Sequence, residues 1–79
     1  MQTPRFQPEP NLAPLREVFN RYRAESGMTF DELAEATGIS RRTLLNISSG
    51  TYHGDLSTWL VLARVWGASL DDMFAAVWE

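Results

Sequence analysis

The stretch that most constrains this chain runs from Thr29 to Gly50, TFDELAEATGISRRTLLNISSG. Thr29 and Glu32 have the spacing at which a hydroxyl and a carboxylate satisfy each other's free amides where a helix begins. Leu33, Ala34 and Thr37 then give that helix one mostly apolar face of small residues. Gly38 suits its end, because glycine takes positive φ without a Cβ clash. Ile39 follows as an apolar plug. Ser40 is a good N-cap for a second helix, on which Leu44 and Ile47 share the buried face. Gly50 closes it. The rest of the chain must pack around two short helices joined by a tight turn.

Small residue, glycine, apolar plug and hydroxyl cap, in that order, describe a helix-turn-helix, whose second helix commonly enters the DNA major groove. Leu33-Ala34, Gly38-Ile39-Ser40, Thr43-Leu44, Ile47 and Gly50 carry a resemblance to the DNA-binding domain of phage lambda-repressor and Cro-like regulators, the xenobiotic-response-element family. The similarity continues through Leu60, Ala63, Trp66-Gly67 and Ser69-Leu70-Asp71, and so covers roughly residues 12 to 74. The ordered series, rather than any one motif, makes it specific. It implies an all-α, five-helix lambda-repressor-like DNA-binding domain. The implied activity is that of a sequence-specific regulator of transcription, a phage-type repressor that occupies a double-stranded DNA operator.

Outside the central stretch, residues 1–10 hold Pro4, Pro8 and Pro10 without periodic pattern and read as a flexible N-terminal arm. Arg5 and Phe6 in it are placed either to reach DNA or a partner, or to form an unstructured lead. Residues 11–79 form the domain. Asn11 is expected to cap helix 1, with Leu12, Leu15, Val18, Phe19 and Tyr22 on its buried face and Gly27 at its end. Arg16, Glu17, Asn20, Arg21 and Arg23 fall mostly outside that face. Asp55 is expected to cap helix 4, which stops at Gly67 and whose core positions are Leu56, Trp59, Leu60, Leu62, Ala63 and Trp66. Ser69 caps helix 5, with Asp71 and Asp72 favourably placed against the helix dipole. Leu70, Met73, Phe74, Val77 and Trp78 form its apolar stripe.

At 79 residues the chain is one domain, and a chain this short buries only about 60% of its unfolded surface. With no cysteine it has no disulfide framework, which suits a cytoplasmic location. No apolar run approaches the length of a membrane span, and the start is no signal peptide. The net charge of −3 is unusual for a protein that gains affinity by neutralising phosphates. Distribution matters more than the total. Of the successive segments 1–28, 29–37, 38–54 and 55–79, only 38–54 has no acid, and it holds Arg41 and Arg42; it comprises the second helix of the motif and the loop after it. All seven basic residues are arginine, which grips guanine or phosphate with two donors where lysine acts as a point charge.

Ser40, Arg41, Arg42, Leu45 and Asn46 fall on the outward side of the second helix. Arginine can pair with guanine O6 and N7, asparagine with adenine, and a leucine can pack on a thymine methyl. The plainer account of Arg41 and Arg42 is a solvated helix end, although positive charge there opposes the dipole. Thr43 can bond a phosphate or bond back within its helix. Thr51, Tyr52 and His53 match the family's loop near the sugar–phosphate backbone, and Tyr52 is equally well read as a partly packed loop residue. A lone histidine and no cysteine give little support to a metal site or a nucleophile–base pair. No cofactor, small-molecule substrate or membrane partner is implied. Asp31, Glu32, Glu35, Asp71 and Asp72 read as solvated faces and dipole partners rather than as an enzyme's carboxylates.

Two positions depart from the family. Many members carry a phosphate-touching glutamine where this chain has Phe30. Many also carry, at Ser48, a glutamate that pairs with a helix-1 arginine, here Arg23. Arg23 is thus left to find solvent, a phosphate or another acid. These departures and the acidic total favour a rival function, a protein-interaction or antitoxin-like module that kept the fold. Val61, Val65, Phe74, Val77 and Trp78 are apolar groups near the C-terminus that the family core leaves partly or wholly unexplained, and contiguous exposed apolar groups mark interfaces. They are expected to form a homodimer contact, unless Trp78 folds back as a lid over its own core.

Overall fold

In the computed structural model, which describes residues 9–78, nearly every helix starts at a polar side chain that takes up free amides. The elements are α1 (Leu15–Ser26), α2 (Phe30–Thr37), α3 (Arg41–Ser49), α4 (Leu56–Trp66), α5 (Leu70–Phe74) and a terminal 3₁₀ turn (Ala75–Trp78). No strand occurs among the described residues, and no helix there is long and apolar enough to cross a membrane. The expected mobile arm with Arg5 and Phe6 lies outside the described residues, apart from Glu9 and Pro10.

Thr29 and Glu32 form the expected capping box at α2. Ser40, Asp55 and Ser69 accept from the third residue of α3, α4 and α5. The exception is α1. Asn11 does not cap it: the helix starts after Pro14, which makes no side-chain cap. Asn11 instead closes a local turn, its Oδ1 accepting from the Ala13 amide at 3.2 Å. Its own N–H donates to the Val77 carbonyl at 2.7 Å, which ties the start of the domain to its last turn. Leu12 precedes the helix and is exposed rather than buried.

The core is a continuous cluster in which Phe19, Leu33, Leu44, Leu62 and Met73 are fully buried. Phe19 sits at its aromatic centre, against Phe30, Trp59 and Trp66 at ring-centroid distances of 6.3, 6.5 and 5.6 Å. On α4 the buried arc is centred on Trp59 and Leu62, with Trp66 half-buried. Leu56 and Leu60, expected in the core, fall on the flank of that arc and are 64% and 50% exposed.

The C-terminal stripe also differs from expectation. After Phe74 the chain tightens from α-helical to 3₁₀ winding, so residues three apart become eclipsed. Val77 is turned into the chain's own core, and Trp78 is swung outward, 62% exposed. Val77 is therefore no surface group, and Trp78 is no lid. Val61 and Val65 are half-buried, and Val65 and Phe74 pack against the core.

Candidate nucleic-acid interface

Three sets of contacts position α3. Ahead of it, the Thr37 hydroxyl donates to the Leu33 carbonyl and accepts from the Ile39 amide, fixing the turn. Gly38 in that turn has φ of 75°, a backbone conformation that side chains with a Cβ resist. Beneath it, Leu44 and Ile47 are buried. Alongside, the Asn20 side-chain amide of α1 donates to the Ser48 carbonyl at 3.0 Å, and the Ser48 hydroxyl donates back to Asn20 Oδ1. Ser48 thus bonds to Asn20.

With its inner face held, α3 turns Arg41, Arg42, Leu45 and Ser49 outward. Ser40, at the cap, is exposed too; Thr43 and Asn46 are half-buried on the flanks. The Thr43 hydroxyl accepts from Ser40 Oγ at 2.9 Å, so it is engaged within the helix, with its own proton left to donate. The Asn46 carbonyl accepts from the Thr51 and Tyr52 amides, which folds the following loop back on the end of α3. Thr51, Tyr52 and His53 are all exposed there.

That loop is fastened to the core. Trp59 Nε1 donates to the His53 carbonyl at 2.7 Å. Gly54 has φ of 80°, and a Cβ on it would lie 2.7 Å from Trp59 Nε1, so the backbone approaches the indole as closely as glycine allows. Asp55 follows as the cap of α4. The backbone amide of Thr58, and then its hydroxyl, hold the Asp55 carboxyl below the usual carboxylate range.

Charge at this face is uneven. Asp31 at the start of α2 pairs with Arg41, Oδ1 to Nε 2.9 Å. Arg42 has no carboxylate partner among the described residues. The acid-free stretch of sequence therefore receives an acid in space. Arg23 is engaged at the α1–α2 junction: its guanidinium donates to the Met28 carbonyl at 3.0 Å and lies over the Phe30 ring, 4.4 Å from the centroid. The two departures from the family pattern thus answer each other. The phenylalanine that cannot act as a phosphate clamp gives its π face to the arginine that lacks a carboxylate.

Two residues at the interface were not singled out from sequence. Ser49 shares the outward face with Leu45, one turn earlier, and its hydroxyl meets that of Thr51 at 2.9 Å. The helical spacing from Arg42 was the available signal. Arg16 of α1 lays its side chain across the end of α3, where a Cβ on Gly50 would be 3.0 Å from its Cδ. This places a cation beside the negative end of the α3 dipole. No local pattern signals that contact.

Comparison with known proteins points the same way. The helix-turn-helix domain family matches residues 14–76. Two proteins of Archaeoglobus fulgidus named as HTH-type transcriptional regulators are 35% and 33% identical over 60 residues, 76% of this chain and 86% and 84% of theirs. Another of that name, from Methanocaldococcus jannaschii, is 34% identical over 60 residues, 76% of this chain and 91% of its own. Among solved structures, the clp gene regulator ClgR from C. glutamicum matches with a TM-score of 0.75 at 28% identity, covering 94% of this chain and 100% of that one.

Proposed function

This chain belongs to the helix-turn-helix family of transcriptional regulators, and on that premise we propose that it binds double-stranded DNA sequence-specifically and represses transcription, phage-repressor fashion, by occupying an operator. The observation that carries this is the outer face of α3. Arg41, Arg42, Leu45 and Ser49 point outward from a helix whose inner face is locked by Leu44, Ile47 and Ser48. Such a rigid helix can enter the major groove while Ser40, Thr43, Asn46 and the Thr51–His53 loop meet base edges or phosphates at its margins. Arg23, held by Met28 and Phe30, serves the α1–α2 junction.

The chain acts as a binder and not a catalyst. Five of its described carboxylates have places in the helix framework: Glu32 and Asp55 cap helices, Asp71 and Asp72 sit in the first turn of α5, and Asp31 holds Arg41. Its place of action is the cytoplasm, where the DNA is.

The active form is a homodimer, paired through the C-terminal half. Leu56, Leu60 and Trp78 leave large apolar surfaces exposed there, and Val61, Val65 and Phe74 are partly exposed in the same half of the chain. A two-fold pair would set two α3 helices about 34 Å apart, one helical turn of DNA. Sedimentation at micromolar concentration should show a species of twice the 9.0 kDa protomer mass. A lone protomer that Trp78→Ala does not alter would end the dimer.

Selection from random duplex DNA tests the function itself. A defined half-site should emerge, and its preference should relax at one or two base pairs in Arg42→Ala. The second function, a protein-interaction or antitoxin-like module, is favoured by the acid on Arg41 and the exposed apolar groups of α4. Selection of no sequence would move the assignment there.

A further inference from the structure

Asp31 and Arg41 stand in the first turns of successive helices, α2 and α3, and make the one ion pair among the described residues. The contact is made at Arg41 Nε, 2.9 Å from Asp31 Oδ1. An acceptor at Nε approaches the guanidinium from its side. The two terminal nitrogens at the far end keep a pair of donors in fixed geometry, and such a pair matches O6 and N7 of guanine. Both side chains are largely exposed, 57% and 81%, so in free solution the pair adds little to stability. Its consequence is orientation.

The same carboxylate has a second, opposing effect. It places a negative charge at the edge of a face that approaches phosphates, which weakens attraction to DNA of any sequence. Arg42, one residue on and without a carboxylate partner among the described residues, experiences neither constraint. The adjacent arginines are therefore unequal: one is aimed, the other free to follow the backbone.

We infer that Asp31 is a specificity-determining positioning residue, which acts through Arg41 by holding its Nε edge so that the far pair of donors addresses a single guanine, while lowering affinity for DNA of other sequence. This rests on the DNA-binding function proposed above. It separates two roles that the Arg41-Arg42 pair presents as one in sequence.

The test compares the parent chain, Asp31→Asn, Arg41→Ala and the double variant on the selected duplex and on a scrambled one, over a range of salt. Asp31→Asn should bind the scrambled duplex more tightly, with a salt slope steeper by about one. Its preference for the selected duplex should fall by about tenfold, within the range of one bidentate base contact. The loss should map to the base pair that Arg41→Ala also relaxes, and in the Arg41→Ala background Asp31→Asn should leave base preference unchanged. Parallel tightening on both duplexes would reduce Asp31 to a repelling charge and overturn the inference. Parallel weakening with a lowered thermal midpoint would make it a support of α2 and overturn it equally. A parent that selects no sequence would remove the function and the inference with it.

Discussion

α3 and α4 rest on the same core and are both amphipathic, yet they offer solvent different chemistry. α3 buries Leu44 and Ile47 and shows Arg41, Arg42, Ser49 and a single partly exposed leucine, Leu45. α4 buries Trp59, Leu62 and Ala63 and shows Leu56, Ser57, Leu60 and Arg64. A helix that needed only to cap a core would be polar on its outer face. α3 meets that condition with cations suited to phosphates and base edges. α4 fails it at Leu56 and Leu60, one turn apart, as the proposed dimer contact requires. Under the function proposed above, the difference divides the molecule into a half proposed to meet nucleic acid and a half proposed to meet a second copy.

The largest effect expected on stability breaks this comparison at the buried sides. Leu44→Ala, at a fully buried site, should cost about 2–5 kcal/mol. Leu60→Ala, at a half-exposed site on α4, should cost the protomer less than about 1 kcal/mol. Denaturant unfolding of the two variants checks this. Equal losses would mean that Leu60 is a core residue after all.

Turn chemistry sharpens the comparison next. Gly38 ahead of α3 and Gly54 ahead of α4 both have positive φ, but a Cβ on Gly38 meets nothing within 4 Å whereas one on Gly54 meets Trp59. Gly38→Ala should therefore cost about 1 kcal/mol, from backbone strain alone. Gly54→Ala should cost more and should also release the Trp59 indole from the His53 carbonyl. Thermal midpoints rank the two, and the Trp59 N–H resonance reports the release. The reverse ranking would contradict the loop geometry.

The smallest effect concerns acid. The Asp55 carboxyl is held low by Thr58, so folding favours its charged form. The stabilisation is complete at neutral pH and is lost as pH falls through that lowered pKa. The α3 cap is Ser40, whose hydroxyl does not titrate. Below about pH 4, near the ordinary aspartate range, protection of the amides against exchange should fall at Thr58 and Trp59 before it falls at Thr43 and Leu44. Asp55→Ser should abolish that order.

What could be read from sequence was what is local. The Thr29–Glu32 box, the Ser40, Asp55 and Ser69 caps and the glycines that end helices each depend on neighbours within four residues, and they form as expected. Contacts set by packing could not be read. Leu56 and Leu60 have helical spacing but lie off the arc that Trp59 and Leu62 bury. Trp78 has the right period for an α-helix and loses it to a 3₁₀ turn. Asn11 has a capping side chain, yet a bond to Val77 fixes it elsewhere. At the interface, the outward face of α3 was legible from its own period. The Asp31–Arg41 pair, the Arg23–Phe30 stack and Arg16 across Gly50 bring together different helices and leave no periodic trace.

The division between the two halves is tested most directly by one binding titration. Parent, Arg42→Ala and Leu60→Ala are measured on a duplex with one half-site and on a duplex with two. Arg42→Ala should weaken both complexes, by about 1–3 kcal/mol for each site. Leu60→Ala should bind the single half-site like the parent and lose affinity only where two protomers sit side by side. Parental binding of both duplexes by Arg42→Ala, or an equal loss on both by Leu60→Ala, would contradict the assignment of α3 to DNA and α4 to a second chain.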